Sequence, residues 1–264
     1  MLETNPFSLL AETVSPFAMQ TFIIAMIALI VLGTIIQMIH HKNLTYFFNN
    51  AKKAKLQATR EIGVGEKVSI IAKTTVVDIG TTAELGFGKR RLSHVLGMYG
   101  TIIFWVSSVI LVFCYTGADK SSSSMWSMLW HVGAILTCVG GYWFWFFLRV
   151  DVLSEAHPWY RIIKADLFVL ALLACSTFGL AWSYTQFNGQ VGLSFLFFTL
   201  FVASNLILFG GVYWSKFAHM FYKPGAAIQK NLAEADGSRD NLPPPADAPK
   251  QFGLGIKREE PKHY

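Results

Sequence analysis

The sequence predicts an all-α fold: an integral membrane bundle of five transmembrane helices, with the N-terminus outside and the C-terminus cytoplasmic. Three observations predict it. Of the 264 residues, 53% are hydrophobic and only 14% charged, where a soluble domain carries nearer a quarter charged residues. Five runs, at about 17–39, 95–116, 128–148, 167–186 and 193–214, contain no Lys, Arg, Asp or Glu. Each reaches the roughly 20 apolar residues that a bilayer crossing takes. Finally, the regions 40–94, 149–166 and 215–264 hold 21 of the 22 Lys and Arg residues, and the opposite loops hold only Lys120. Basic residues stay on the cytoplasmic side, so this split sets the orientation.

Each element has its own reason. Residues 1–39 comprise the N-terminus and the first span. The opening MLETNPFSLLAETVSPF has no basic residue, so it lacks the charged start of a cleaved signal peptide and the first span is expected to stay. Helices are the form of all five spans, because backbone groups in lipid must bond within their own segment. Residues 40–94 are a basic, amphipathic cytoplasmic segment. Within it NLTYFFNNAKKAKLQATREIG reads as a helix on the membrane surface. Val68, Ile71, Ala72, Val76 and Ile79 then recur at helical spacing, as a second surface helix or a docking helix for a partner. Residues 95–224 are the four-helix transmembrane region, with its last helix running past Trp214 until Pro224 breaks it. Residues 225–264 are rich in Pro and charge and read as a disordered cytoplasmic tail.

Cys114, Cys138 and Cys175 all lie in apolar runs with no CxxC, so neither an iron–sulfur cluster nor a zinc site is expected. The glycine pairs Gly140–Gly141 and Gly210–Gly211 permit close approach of a helix or of a flat cofactor. No nucleic-acid partner is expected. A transporter is disfavoured, since the spans carry no charge and no inverted repeat is visible.

The candidate chemistry is in the histidines, of which there are seven. His94, in KRRLSHVLGMYG, and His219, in SKFAHMFYKP, fall on the same side of the membrane in this topology. Two neutral imidazoles on facing helices suit the axial positions of a haem iron. Gly97 and Gly100 would leave room for a macrocycle. Arg90, Arg91 and Lys216 would pair with its propionates, and Tyr99, Phe217, Phe221 and Tyr222 would pack against the ring. An interfacial histidine is equally at home as a boundary residue of an amphipathic helix. His131 stands alone near the opposite end of the third span, with Trp126, Trp130 and Lys120 close in sequence. It either hydrogen-bonds a quinone carbonyl, using a group that titrates near neutral pH, or caps its helix. His40 and His41 are spare ligands at the end of the first span.

Five helices with Arg-x-x-His opening the second (Arg91, His94) and Ser-Lys-x-x-His-x-Phe closing the fifth (Ser215, Lys216, His219, Phe221) resemble the cytochrome b membrane subunit of respiratory nitrate reductase, the gamma subunit. The same family contains the membrane subunits of heterodisulfide reductases and of quinone-interacting oxidoreductases. The resemblance covers roughly residues 90–225. It implies that His94 and His219 hold one haem b near the cytoplasmic face. Phe104 and Phe201 stand where that pattern has its second pair of histidines, which puts a second haem in doubt. A short chain without cluster motifs is most similar to the membrane anchor that accompanies dissimilatory adenylylsulfate reductase. The expected function is then an electron-transfer subunit of an oxidoreductase complex in the inner membrane, joining a cytoplasmic redox enzyme of sulfur metabolism to the quinone pool. The other reading is a haem-free anchor that recruits a soluble enzyme.

Overall fold

The computed structural model describes residues 1–40, 42–85, 88–116, 124–150, 157–213, 215, 217 and 219–239. Among these residues the protein is all-helical and has no strand. Five helices are long and apolar enough to cross a membrane: Pro16–His40, Lys89–Cys114, Ser124–Leu148, Lys164–Phe187 and Val191–Gly210. This is a multi-pass membrane protein.

The chain divides into two compact units, Met1–Gln37 with Gly88–Ala218, and Met38–Phe87 with His219–Tyr264. The first is the membrane unit. It opens with a short helix α1 (Pro6–Leu10), whose first free amides are met by Asn5: the Asn5 side chain accepts from the Phe7 amide at 3.0 Å. The Asn5 side-chain amide also donates to the Tyr115 carbonyl at 3.1 Å, pinning α1 to the end of α5 (Lys89–Cys114). The first span is α2 (Pro16–His40). The third comprises α6 (Ser124–Trp143), which ends in a π-helical stretch, Phe144–Leu148. The last two spans, α7 (Leu167–Phe187) and α8 (Val191–Gly210), form an antiparallel hairpin. Only Asn188, Gly189 and Gln190 connect them, and Gly189 sits at φ +67°, a conformation that costs glycine nothing.

Small side chains hold α5 against α6. A Cβ added at Gly100 would lie 2.5 Å from the Thr137 amide nitrogen, one at Gly133 2.6 Å from the Phe104 nitrogen, and one at Gly140 2.5 Å from the Gly97 nitrogen. The Ser93 hydroxyl donates to the Gly140 carbonyl at 2.8 Å across the same seam. In lipid there is no hydrophobic drive between helices, so close backbone approach and interhelical hydrogen bonds supply the association. The loop between α6 and α7 is tied by a buried ion pair. Arg149 is fully buried and donates to Asp166 at 2.6 Å, to the Pro158 carbonyl at 2.8 Å and to the Arg161 carbonyl at 2.6 Å. Its guanidinium also lies 4.3 Å from the Trp145 ring centre.

The second unit contains α3 (Asn43–Leu56), α4 (Val64–Lys73) with a π-helical continuation, Thr74–Gly80, and α9 (His219–Ala235). The amphipathic helices expected in this segment are therefore present. The α9 helix returns onto them: Asn231 donates to Thr74 and to Asp78, both at 2.7 Å, and the Thr59 amide donates to the Asp236 carbonyl at 2.9 Å.

Three boundaries differ from expectation. The fifth span stops at Gly210, with Gly211 as its C-cap, instead of continuing to Pro224. Two successive glycines weaken a helix where no side chain packs to hold it. Pro224 does not end a helix but lies inside α9. Its missing N–H forfeits a single helical bond, while Asn231 and the backbone at 59 and 236 hold the helix elsewhere. The disorder expected from Gly225 onward does not apply up to Ala235, which is the end of α9. The remaining tail, residues 240–264, lies outside the described residues.

Candidate functional site

The second span begins at Lys89, one and a half turns before the apolar run, so Arg90, Arg91 and His94 are helical residues of α5. Its periodicity decides their exposure. Ser93 is buried against Gly140, and His94, one residue on and about 100° around the axis, is exposed. Arg90 and Arg91 are half-buried in the first turn. Three cationic residues at a helix N-terminus add to the positive end of the helix dipole, a setting that favours an anionic group.

The two glycines beyond His94 behave differently. A Cβ added at Gly97 would meet nothing within 4 Å, so that face of α5 is open one turn from His94. At Gly100 a Cβ would strike the α6 backbone. The expectation that both glycines make room for a macrocycle is thus corrected: Gly97 leaves space, and Gly100 is spent on helix packing. The aromatic residues divide in the same way. Phe217 is fully buried, stacked on Trp105 at 5.8 Å and edge-on to Phe168 at 5.2 Å, so its ring already serves the core. Tyr99 is 42% exposed on α5. Phe221 and Tyr222 are on α9 of the second unit and part-exposed.

His219 is the first residue of α9 in the second unit, and its side chain lies outside the described residues, as do Lys216, Lys120 and His41. His40 is exposed at the end of α2. Among the described residues no group of three or more His, Cys, Asp or Glu side chains stands together as a metal cage. The chemistry on offer at the head of α5 is accordingly one accessible imidazole beside two guanidinium groups.

Phe104 and Phe201 do meet. Their ring centres are 6.4 Å apart, edge to face, between α5 and α8. Trp130 lies 5.0 Å from Phe104, and Trp182 stacks on Phe201 at 5.6 Å. Phe7 of α1 closes the cluster against both tryptophans at 5.9 and 5.5 Å. Aromatic side chains fill the space between the helices at this level.

His131 is fully buried in α6. Its Nδ1 is 2.7 Å from the Ser127 carbonyl, one turn back, and its Nε2 is 2.7 Å from the Ser183 hydroxyl on α7. A carbonyl only accepts, so Nδ1 carries the proton, and in the neutral ring Nε2 accepts from Ser183. Trp130 packs edge-on at 4.9 Å. The residue locks α6 to α7, and neither ring nitrogen can donate to a quinone carbonyl: the Nδ1 proton is spent on Ser127, and Nε2 is itself an acceptor. Helix capping does not describe it either, since it bonds across the bundle from within the helix.

Sequence reasoning missed two features. The Arg149–Asp166 pair had a signal: opposite charges at the two feet of one short loop, each directly beside an apolar run. The contact of Asn231 with Thr74 and Asp78 had none, because more than 150 residues separate the partners.

Comparison with protein-family models, characterised proteins and solved structures gives no match to this chain.

Proposed function

We propose that this protein is a membrane electron-transfer subunit that holds one b-type haem through His94, with His219 as the second axial ligand. The observation that carries the reading is the exposed imidazole of His94 on the open, Gly97 face of α5, with Arg90 and Arg91 one turn before it. When bound, the haem supplies one-electron chemistry, and the protein supplies ligands, charge and orientation. His94 would present a neutral ring nitrogen, and the half-buried arginines would balance the two propionates. The basic segments then face the cytoplasm, where a soluble redox enzyme docks. Adenylylsulfate reductase is the enzyme that the family resemblance implies. Electrons would pass between that enzyme and quinone in the inner membrane.

An absorbance spectrum tests this directly. Purified wild-type protein should show reduced b-type bands, and His94→Ala and His219→Ala should each abolish them while the protein stays monodisperse. Absent bands, or bands unchanged in both variants, would remove the assignment.

A second reading, a haem-free anchor for a soluble enzyme, is favoured by the second unit. It combines α3, α4 and α9 with exposed Tyr46, Phe48, Val68 and Val76 and a run of lysines. Capture of the enzyme by the His94→Ala, His219→Ala double variant, with electron flow intact, would support that reading over the first.

A further inference from the structure

The first span is attached to the bundle unlike the other four. In its most apolar stretch 11% of residues are buried, against 39% in the third and fourth spans. It is pinned near one end, where a Cβ added at Gly33 would lie 3.0 Å from Val212 Cβ. Toward the other end, Met19 and Met26 turn inward. Between these points α2 stands off from α5 and α8, and a cleft of about 380 Å³ separates them. Phe7 and Leu10 of α1 contribute to the wall at one end, and Ile30 and Phe209 also line it.

The wall chemistry narrows the occupant. Nearly every lining side chain is apolar. The Ser108 hydroxyl donates to the Phe104 carbonyl at 2.8 Å and accepts from the Trp130 indole at 2.9 Å. The Asn205 side-chain amide donates to the Phe201 carbonyl at 2.8 Å. The Trp105 indole N–H is a buried donor without an acceptor among the described residues. A quinone ring brings two carbonyls and the wall offers at most the one Trp105 N–H, so at least one carbonyl would be dry and costly, whereas an alkyl chain requires no partner at all. The volume matches too. The cleft is large enough for a stretch of alkyl chain. Its walls belong to spans, to α1 and, at Val14, to the turn between α1 and α2 of the same unit, so the surrounding solvent is mostly hydrocarbon. An empty cleft would deprive its lining of dispersion contacts on one side.

We infer that the cleft between α2, α5 and α8 binds the acyl chain of a membrane phospholipid, and that this chain packs the first span onto the bundle. The site is independent of the haem reading, since neither His94 nor His219 lines it.

The test uses the full-length protein in vesicles of phosphatidylcholine carrying a diazirine in mid-chain. A parallel arm carries the diazirine on the tail of a polyprenyl quinone. With the phospholipid probe, crosslinks on Ile23, Val109 and Val202 should exceed those on the exposed Ile135 and Val139 of α6 by about tenfold, or 1.4 kcal/mol of site preference. Val202→Phe and Ala18→Phe, which fill the cleft, should reduce labelling of Ile23 and Val109 to the α6 level. Ile207→Phe, on the exposed side of α8, should leave it unchanged. The wild-type distribution alone decides the matter should a filled variant fail to fold. Even labelling over all helix faces, enrichment unaffected by filling, or enrichment with the quinone probe alone would each overturn the inference.

Discussion

The two units solve the problem of holding helices together by opposite means. In the membrane unit the closest helix pair, α5 and α6, meets through absent side chains: Gly100, Gly133 and Gly140 let backbone touch backbone. Its strongest polar contacts are buried, as in His131 with Ser183 and Arg149 with Asp166. In the second unit long polar side chains cross-link remote segments, exposed at Arg60 and part-buried at Asn231. Arg60 donates to Glu66 and to the Ala235 carbonyl, and Asn231 reaches Thr74 and Asp78. The difference follows from the solvent. In hydrocarbon, apolar contact with a neighbour helix gains little over contact with lipid, so fit and dry hydrogen bonds decide. Where charged residues face water, apolar burial is available but small, and polar staples fix register.

The comparison can be broken most forcefully at Arg149. Arg149→Ala strands the Asp166 carboxylate in a dry site and should cost about 3–5 kcal/mol. The expected readout is loss of the monodisperse peak in mild detergent, with recovery in Arg149→Met combined with Asp166→Leu. Next comes the glycine seam. Gly100→Leu should destabilise by about 1–3 kcal/mol, as overpacking does, seen as a lower thermal midpoint. Gly97→Leu should leave that midpoint nearly unchanged, since its Cβ position is open, and should still remove reduced haem bands if the proposed site is right. A comparable effect at most belongs to Ser183→Ala. The loss of one buried hydrogen bond should cost about 1–3 kcal/mol at most, because His131 keeps its Ser127 partner.

In the second unit the effects shrink. Asn231→Ala should lower stability by about 1 kcal/mol and raise amide exchange in α9 without touching the membrane spans. The smallest effect is at Glu66, where the hydrogen bond and charge of Arg60 hold the carboxyl below the usual glutamate range. A carboxyl lowered in the folded state stabilises above its unfolded pKa, and that contribution disappears as pH falls through the folded value. The pair is fully exposed, so salt should screen it. Carbon-13 titration of Glu66 should move back toward the ordinary range in Arg60→Gln and in high salt.

The same contrast separates what was legible in the sequence from what was not. Five crossing helices were legible, because length and apolar content are summed along the chain and need no partner. The α3 and α4 helices were legible for a related reason: their amphipathic period is a local pattern. The exposure of His94 beside a buried Ser93 was not, since helical geometry orders side chains around an axis but does not say which side meets α6. Gly97 and Gly100 look alike in sequence, and only the register of α5 on α6 makes one open and the other closed. The His131 lock needed Ser183 on another helix. The amino-acid sequence by itself determined the number of spans and the residues able to do chemistry. The tertiary structure decided which of those residues are spent on packing and which remain accessible, because that choice depends on contacts between segments far apart in the chain.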